Sequence, residues 1–162
     1  MEKETIGNIL TFLKEKEGKE IPLNWNLIER LENHPDNVKC VTSTSLFLSE
    51  SNIEKLPNIL HVRGDLWLEN CKQLTELPDN LYVYGSLFLK DNKQINKFPN
   101  TLFVAGDLWL DKTNIEKLPN QIFVGEDLLI QGTPLADKYT DEELYEMAKS
   151  LEGGQIRGKI IR

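Results

Sequence analysis

The chain has 162 residues and a formal net charge of −7, with 40% hydrophobic and 28% charged residues. This length suits one domain or one capped repeat array, and the composition excludes a disordered tail and a membrane protein. The negative charge disfavours nucleic-acid binding, which needs a surplus of lysine and arginine on one face, and favours a basic protein partner.

The two cysteines, Cys40 and Cys71, stand far apart and form no C-x-x-C pair. The sequence therefore indicates neither a disulfide framework nor a zinc site, and it favours a reducing compartment. The first residues, MEKETIG, lack the basic start and apolar run of a signal peptide, and no apolar segment is long enough to span a bilayer. We expect a cytoplasmic protein without a metal or cofactor.

Residues 1–41 predict a helical N-terminal cap. Apolar residues recur there at helical spacing in two stretches, which are Ile6, Ile9, Leu10 and Leu13 and, after Gly18 and Pro22, Leu23, Leu27 and Leu31.

Residues 42–135 contain an internal repeat. Its leucine column is Leu46, Leu66, Leu87, Leu108 and Leu128, spaced by 20, 21, 21 and 20 residues, and its proline column is Pro57, Pro78, Pro99 and Pro119, spaced by 21, 21 and 20. Two independent columns that keep step over several cycles indicate true repetition. Because a single coil alternates apolar and polar positions, it cannot bury its own leucines, and the coils must stack. The segment predicts a repeat solenoid.

The pattern L-x-L-x-x-N/C/T-x-(x)-L-x-x-L-P resembles the leucine-rich repeat, especially the short variety of bacterial and phage proteins. Where that family places an inward asparagine or cysteine, this chain has Ser51, Cys71, Asn92, Thr113 and Thr133. Each of these side chains can hydrogen-bond backbone at the bend that follows the strand. The segment before each strand, L-x-V-x-G in residues 81–85, departs from the usual L-x-x-L spacing and predicts a second short strand per coil.

Residues 136–162 predict a C-terminal cap. Thr140 and Glu143 form a capping-box pattern ahead of an apolar face, so a helix is predicted from about 140 to 151. After Gly153 and Gly154, residues 155–161 alternate as a final strand that would pair with the open sheet edge. The predicted fold is therefore an α+β repeat solenoid of 20 to 21 residue coils, capped at both ends, and forms one folding unit.

The middle residue of each L-x-L strand should point outward, because side chains alternate between the faces of a strand. This outward row is Phe47, Trp67, Phe88, Trp109 and Leu129, and its acidic rim is Asp65, Asp107 and Asp127 on one side with Glu69 and Asp111 on the other. Soluble proteins rarely expose such an apolar row without using it, so we expect a partner-binding face. A terminal helix or a second copy of the chain could instead cover it.

A second outward row follows from the L-x-V strands. It consists of His61, Tyr82, Phe103 and Phe123. We expect this row chiefly to provide apolar surface on which caps or loops dock.

Catalysis is not indicated. His34 and His61 stand apart, neither cysteine has an evident base beside it, and the acidic pairs are typical of a solvated surface. The glycine and lysine spacing of residues 153–160 imitates a phosphate-binding loop, but Ile160 stands where serine or threonine should reach magnesium.

The sequence therefore favours a non-enzymatic module that binds and sequesters or inhibits another protein with a basic surface. Analogy with phage arrays suggests one version, an inhibitor of a host defence nuclease whose carboxylates imitate nucleic acid. Two alternatives remain open. One is a homodimeric assembly protein with the row as its seam, and the other is a small-ligand binder in which Trp67 and Trp109 stack on sugar or nucleobase rings.

Overall fold

Twelve short parallel strands build two six-stranded sheets in the computed structural model, which describes residues 25–36, 38–96, 98–150 and 154–162. In chain order the elements are α1 (Trp25–Glu32), β1 (Cys40–Thr42), β2 (Leu46–Phe47), β3 (Ile59–Val62), β4 (Leu66–Trp67), β5 (Asn80–Val83), β6 (Leu87–Phe88), β7 (Thr101–Val104), β8 (Leu108–Trp109), β9 (Gln121–Val124), β10 (Leu128–Leu129), α2 (Pro134–Lys138), α3 (Asp141–Ser150), β11 (Gln155–Ile156) and β12 (Ile160–Ile161).

Each coil contributes one strand to each sheet. The L-x-V strands form sheet A in the order β1-β3-β5-β7-β9-β11, and the L-x-L strands form sheet B in the order β2-β4-β6-β8-β10-β12. Successive coils pair without a shift, so that Leu66 lies opposite both Leu46 and Leu87. This arrangement confirms the predicted repeat solenoid and the predicted second strand in each coil.

The core is a continuous column of leucine, isoleucine and valine from the inward positions of both sheets. Leu48, Leu66, Leu68, Leu81 and Val83 have no solvent-exposed area. Inward and outward positions alternate in β3, β5, β7 and β9, as the strand geometry requires. Burial therefore depends on neighbouring coils, because each leucine is covered above and below by its counterparts.

The predicted inward polar row closes the bend after each sheet B strand. Asn92 donates through Nδ2 to Leu68 O at 2.7 Å and Leu89 O at 2.8 Å, and its Oδ1 accepts the Cys71 N–H at 2.8 Å. Thr113 Oγ1 donates to Leu110 O at 2.8 Å. These side chains satisfy backbone groups that the bend leaves unpaired inside the core, which is why small polar residues recur there.

Helices lie at both ends of the strand array. Ile28 and Leu31 of α1 belong to the same buried core as the coils, and so do Leu144 and Ala148 of α3. Most of the predicted N-terminal cap, residues 1–24, lies outside the described residues. The capping box of α3 is formed as predicted, since Thr140 N–H donates to Glu143 Oε2 at 2.8 Å and Glu143 N–H to Thr140 Oγ1 at 3.2 Å.

The C-terminal tail differs from its prediction as one strand over about 155–161. It forms two strands, β11 paired with β9 and β12 paired with β10, and so continues both sheets by one incomplete coil. The reason is the turn at Gly158, where a Cβ would stand 2.4 Å from Glu126 C, a close approach that only glycine permits. Tyr145 Oη of α3 donates to Gly158 O at 2.7 Å and holds this turn.

The corner between the two sheets requires glycine for the same reason. A Cβ on Gly85 would stand 2.2 Å from Asp65 Oδ1 and 2.8 Å from Gly64 C. We expect Gly85→Ala to destabilise the fold by roughly 1–3 kcal/mol, because the backbone of two stacked coils would have to separate. Urea unfolding monitored by circular dichroism measures this difference.

Gly132 provides the matched control. Its φ is +67°, and a Cβ there would meet only Lys112 Cγ at 3.7 Å. Asn70 and Asp91 adopt the same left-handed conformation at the equivalent turns of earlier coils, so Gly132→Asn should cost less than about 1 kcal/mol. Equal losses for the two variants would contradict the contact explanation.

Candidate functional site

The outward row of sheet B is a continuous aromatic stack. Ring centroids are 6.0 Å apart between Phe47 and Trp67, 3.8 Å between Trp67 and Phe88, and 5.7 Å between Phe88 and Trp109, with interplanar angles of 24°, 15° and 30°. The row exists because parallel, unshifted pairing places equivalent residues of successive coils side by side. Stacking of the rings also stabilises the solenoid.

The stack offers ring edges to solvent, because the ring faces are turned toward one another. Phe47 at the first coil is 65% exposed, whereas Trp67, Phe88 and Trp109 are half-buried. The indole N–H groups of both tryptophans are shielded from solvent and have no hydrogen-bond partner among the described residues. This geometry is unfavourable for a sugar or nucleobase that needs an open ring face and a polar donor.

The row ends differently from the prediction. Leu129 was expected to be an exposed member, but it is only 9% exposed, since it lies between Trp109 and Ile161 in the sheet register. Ile161 of β12 is 41% exposed and extends the outward row by one coil. Ile161 was not predicted as a member of the row because the tail carries no repeat template, although the alternation in its last residues was a signal.

The carboxylates Asp65, Asp107 and Asp127 belong to a row of hydrogen bonds between coils. Asp65 Oδ1 accepts the Ser86 N–H at 2.8 Å, Asp107 Oδ1 accepts the Asp127 N–H at 2.9 Å, and Asp127 Oδ1 accepts the Lys159 N–H at 2.7 Å. In the remaining coils a serine has the same role, as the Asp107 N–H donates to Ser86 Oγ at 3.0 Å. These aspartates are therefore structural as well as charged.

The opposite rim is mixed in charge. Asp111 Oδ1 accepts the Gln131 N–H at 2.8 Å, while the N–H of Glu69 donates to Ser49 Oγ at 3.1 Å. Between Glu69 and Asp111 the same row contains Lys90, a basic residue that was not among the predicted rim residues. The face remains predominantly acidic, but the acidic frame is interrupted.

The outward row of sheet A is a second aromatic stack. Centroids are 4.4 Å apart for His61 and Tyr82, 6.2 Å for Tyr82 and Phe103, and 4.9 Å for Phe103 and Phe123. The guanidinium of Arg157 lies 5.0 Å from the Phe123 centroid, a cation–π contact that covers this end of the stack. All four predicted residues are half-buried. Their ring contacts are with one another and with Tyr84, whose ring centroid lies 6.3 Å from that of His61 and 5.6 Å from that of Phe103.

Both cysteines belong to the core, since Cys71 is buried in it and Cys40 is partly buried against it. Burial raises the pKa of both thiols, with a smaller opposing effect from Ser51 at Cys71 and from Arg30 at Cys40. Cys71 Sγ donates to Leu48 O at 3.0 Å, so its role is that of the inward row. Within the described ranges, no group of three or more histidine, cysteine or acidic residues could hold a metal ion, and no helix is long and apolar enough to cross a membrane.

No family model, no curated protein and no solved structure matches this chain.

The hydrogen bonds that these aspartates accept from the next coil predict which substitutions their positions tolerate. Asp107→Ala should destabilise the protein by about 1–2 kcal/mol, because the Asp127 N–H loses its acceptor. Asp107→Ser should retain most of that stability, since serine makes the same bond at Ser45 and Ser86. Chemical denaturation of the two variants checks this, and equal losses would contradict the role.

His61 predicts a pH dependence. Burial of the ring, and next the charge of Lys39, lower the pKa of His61 below its ordinary value of about 6.5. His61 therefore binds a proton more readily in the unfolded chain than in the folded chain. The stability contributed by the neutral His61 ring is complete above about pH 6.5 and is lost as pH falls through the folded pKa. His61→Phe should reduce the loss of stability between neutral and mildly acidic pH, measured by thermal unfolding.

Tyr82→Phe is the matched control for that measurement. It alters the adjacent ring, 4.4 Å away, without removing the titrating group. The control should keep the wild-type pH dependence. An unchanged slope in the His61 variant would show that other groups cause it.

Proposed function

We propose that this chain is a non-enzymatic protein-binding module that binds, and sequesters or inhibits, a partner protein through the outward face of sheet B. The observation that carries this proposal is the aromatic stack from Phe47 to Trp109, with ring edges toward solvent and a terminal ring that is 65% exposed. A preformed, rigid apolar row needs little ordering on binding, which favours recognition by a folded surface.

Charge favours a basic partner. The rims of this face contain Asp65, Asp107, Asp127, Glu69 and Asp111. A predominantly acidic frame increases the association rate with a positively charged surface and selects against acidic ones. Because one oxygen of several aspartates already accepts a backbone bond, we assign them to long-range attraction and assign most of the binding energy to the rings.

We further propose that the coils are related to the short leucine-rich repeats of bacterial and phage proteins. The support is the L-x-L strand followed by an inward Asn, Cys or Thr whose side chain bonds backbone within the core. A phage-type inhibitor of a host defence nuclease, active in the cytoplasm, is the specific version that this analogy suggests. The stacked ring faces weigh against the small-ligand alternative.

Affinity capture from lysate of the native host tests the proposal. The bait variant Phe47→Ala/Glu69→Lys removes the most exposed ring of the stack and reverses one rim charge. The hydrogen bond of Glu69 to Ser49 is made by its backbone N–H, so the side-chain change leaves that bond possible. We expect it to lose the protein that the wild type captures. With the captured protein purified, calorimetry should show at least about tenfold weaker binding, since the loss of an aromatic contact together with the reversal of a rim charge should cost about 1.4 kcal/mol or more.

The matched control is Tyr84→Ala/Glu76→Lys. It removes a ring that is 51% exposed and reverses an exposed carboxylate, both outside sheet B. The control should capture the partner as the wild type does, and added salt should weaken both complexes. Equal capture by the two variants would contradict binding through sheet B. The absence of any captured protein with the wild type and with the control would contradict it as well.

A further inference from the structure

The two outward faces of the solenoid differ in charge. In sheet A, the register places Lys39, Arg63 and Arg157 in the outward rows with the aromatic stack, and these rows contain no carboxylate among the described residues. Asp79 and Glu126 lie only at the bends beside it. Sheet B carries the predominantly acidic rims, in which Lys90 and Lys159 are the basic residues of the described chain. The chain is acidic as a whole, with a net charge of −7, yet it presents one basic face.

The two faces also share a spacing. Every coil contributes one outward side chain to the central row of sheet A and one to that of sheet B, and both rows follow the same coil stacking at about 4.8 Å per strand. Exposed apolar side chains are present on both rows, with Phe47 and Ile161 on sheet B and Val41 on sheet A. Two copies of the chain can therefore place apolar row against apolar row without a mismatch of period.

We infer that the sheet A face of one copy binds the sheet B face of a second copy. The interaction rests on the proposed function, because it uses the same sheet B face and names a second copy as its basic partner. The two contacting surfaces differ, so each added copy leaves one sheet A face and one sheet B face open. Such a head-to-tail contact produces chains or closed rings rather than a symmetric dimer.

Sedimentation velocity over about 10 µM to 1 mM protein tests the self-association. We expect the wild type to shift from one copy to two and more copies as concentration rises. Raising sodium chloride from about 0.05 to 0.5 M should weaken the association, because the charges of the two faces are exposed to solvent. A wild type that stays monomeric over the whole range at low salt overturns the inference.

Two variants test the sheet A face and the sheet B face separately. Lys39→Glu/Arg63→Glu reverses two exposed charges of sheet A, and Phe47→Ala/Glu69→Lys alters sheet B. Each variant alone should associate at least about tenfold more weakly than the wild type. Their equimolar mixture should form a complex of two copies, since the sheet B face of the first variant and the sheet A face of the second are intact.

The mixing result distinguishes the possible assemblies. A mixture that stays monomeric overturns the contact between unlike faces. Self-association of the sheet A variant at wild-type strength, with none for the sheet B variant, also overturns it and identifies a symmetric sheet B seam. Matching circular dichroism spectra and melting temperatures exclude misfolding, and the single variants Arg63→Glu and Phe47→Ala replace any double variant that fails this check.

Failure of the proposed self-association is distinguishable from failure of the proposed function. If a second copy does not bind, the sheet A variant still captures a different partner whenever sheet B is a docking face. If sheet B binds nothing, then neither self-association nor capture responds to Phe47→Ala/Glu69→Lys.

Discussion

Unshifted stacking of successive coils is the constraint on which the rest of this structure depends. Each L-x-L and L-x-V strand is two to four residues long, too short to be stable alone. Its leucines are buried only because the next coil repeats them in register. A shift by a single residue would turn every leucine outward and every aromatic ring into the core. Hydrophobic burial and backbone pairing therefore specify the same register.

The same constraint creates the surface rows. Once the first and third positions of L-x-L point into the core, the second must point outward and stand beside its counterparts. Phe47, Trp67, Phe88 and Trp109 consequently stack, and so do the rings on sheet A. The rows contribute to stability and present a surface at the same time. This double role explains why the proposed binding experiments change the exposed end of the stack rather than its middle.

The corner between the sheets shows how closely the coils approach. Asp65 accepts a backbone N–H from the next coil, and Gly85 in that coil leaves room for the same carboxylate. Substitution of either residue would therefore change the geometry of the other. The row of Asp65 contains serine in two coils, at Ser45 and Ser86, because a hydroxyl is also an acceptor of the right length. Aspartate on this rim thus makes the same structural hydrogen bond as serine and adds a negative charge.

Much of the fold was determined by the sequence alone. The two columns of leucine and proline established the solenoid, the L-x-V segments predicted the second sheet, and Thr140 with Glu143 marked the start of α3. These features succeed because they depend on local periodicity or on contacts within a few residues. The short helix α2 was missed, although Thr133 followed by Pro134 is a typical helix start and the Thr133 side chain accepts from Ala136 N–H.

Other properties were decided only by the tertiary structure. Leu129 is covered because a tail residue from 32 positions later, Ile161, pairs beside it, and no local pattern carries such a contact. The rim aspartates are hydrogen-bonded because a neighbouring coil brings a backbone N–H to each of them. The opposite charge of the two faces likewise emerges only when the coils align residues about 20 apart into rows. Sequence periodicity determines which residues are equivalent, but three-dimensional stacking decides what each one touches.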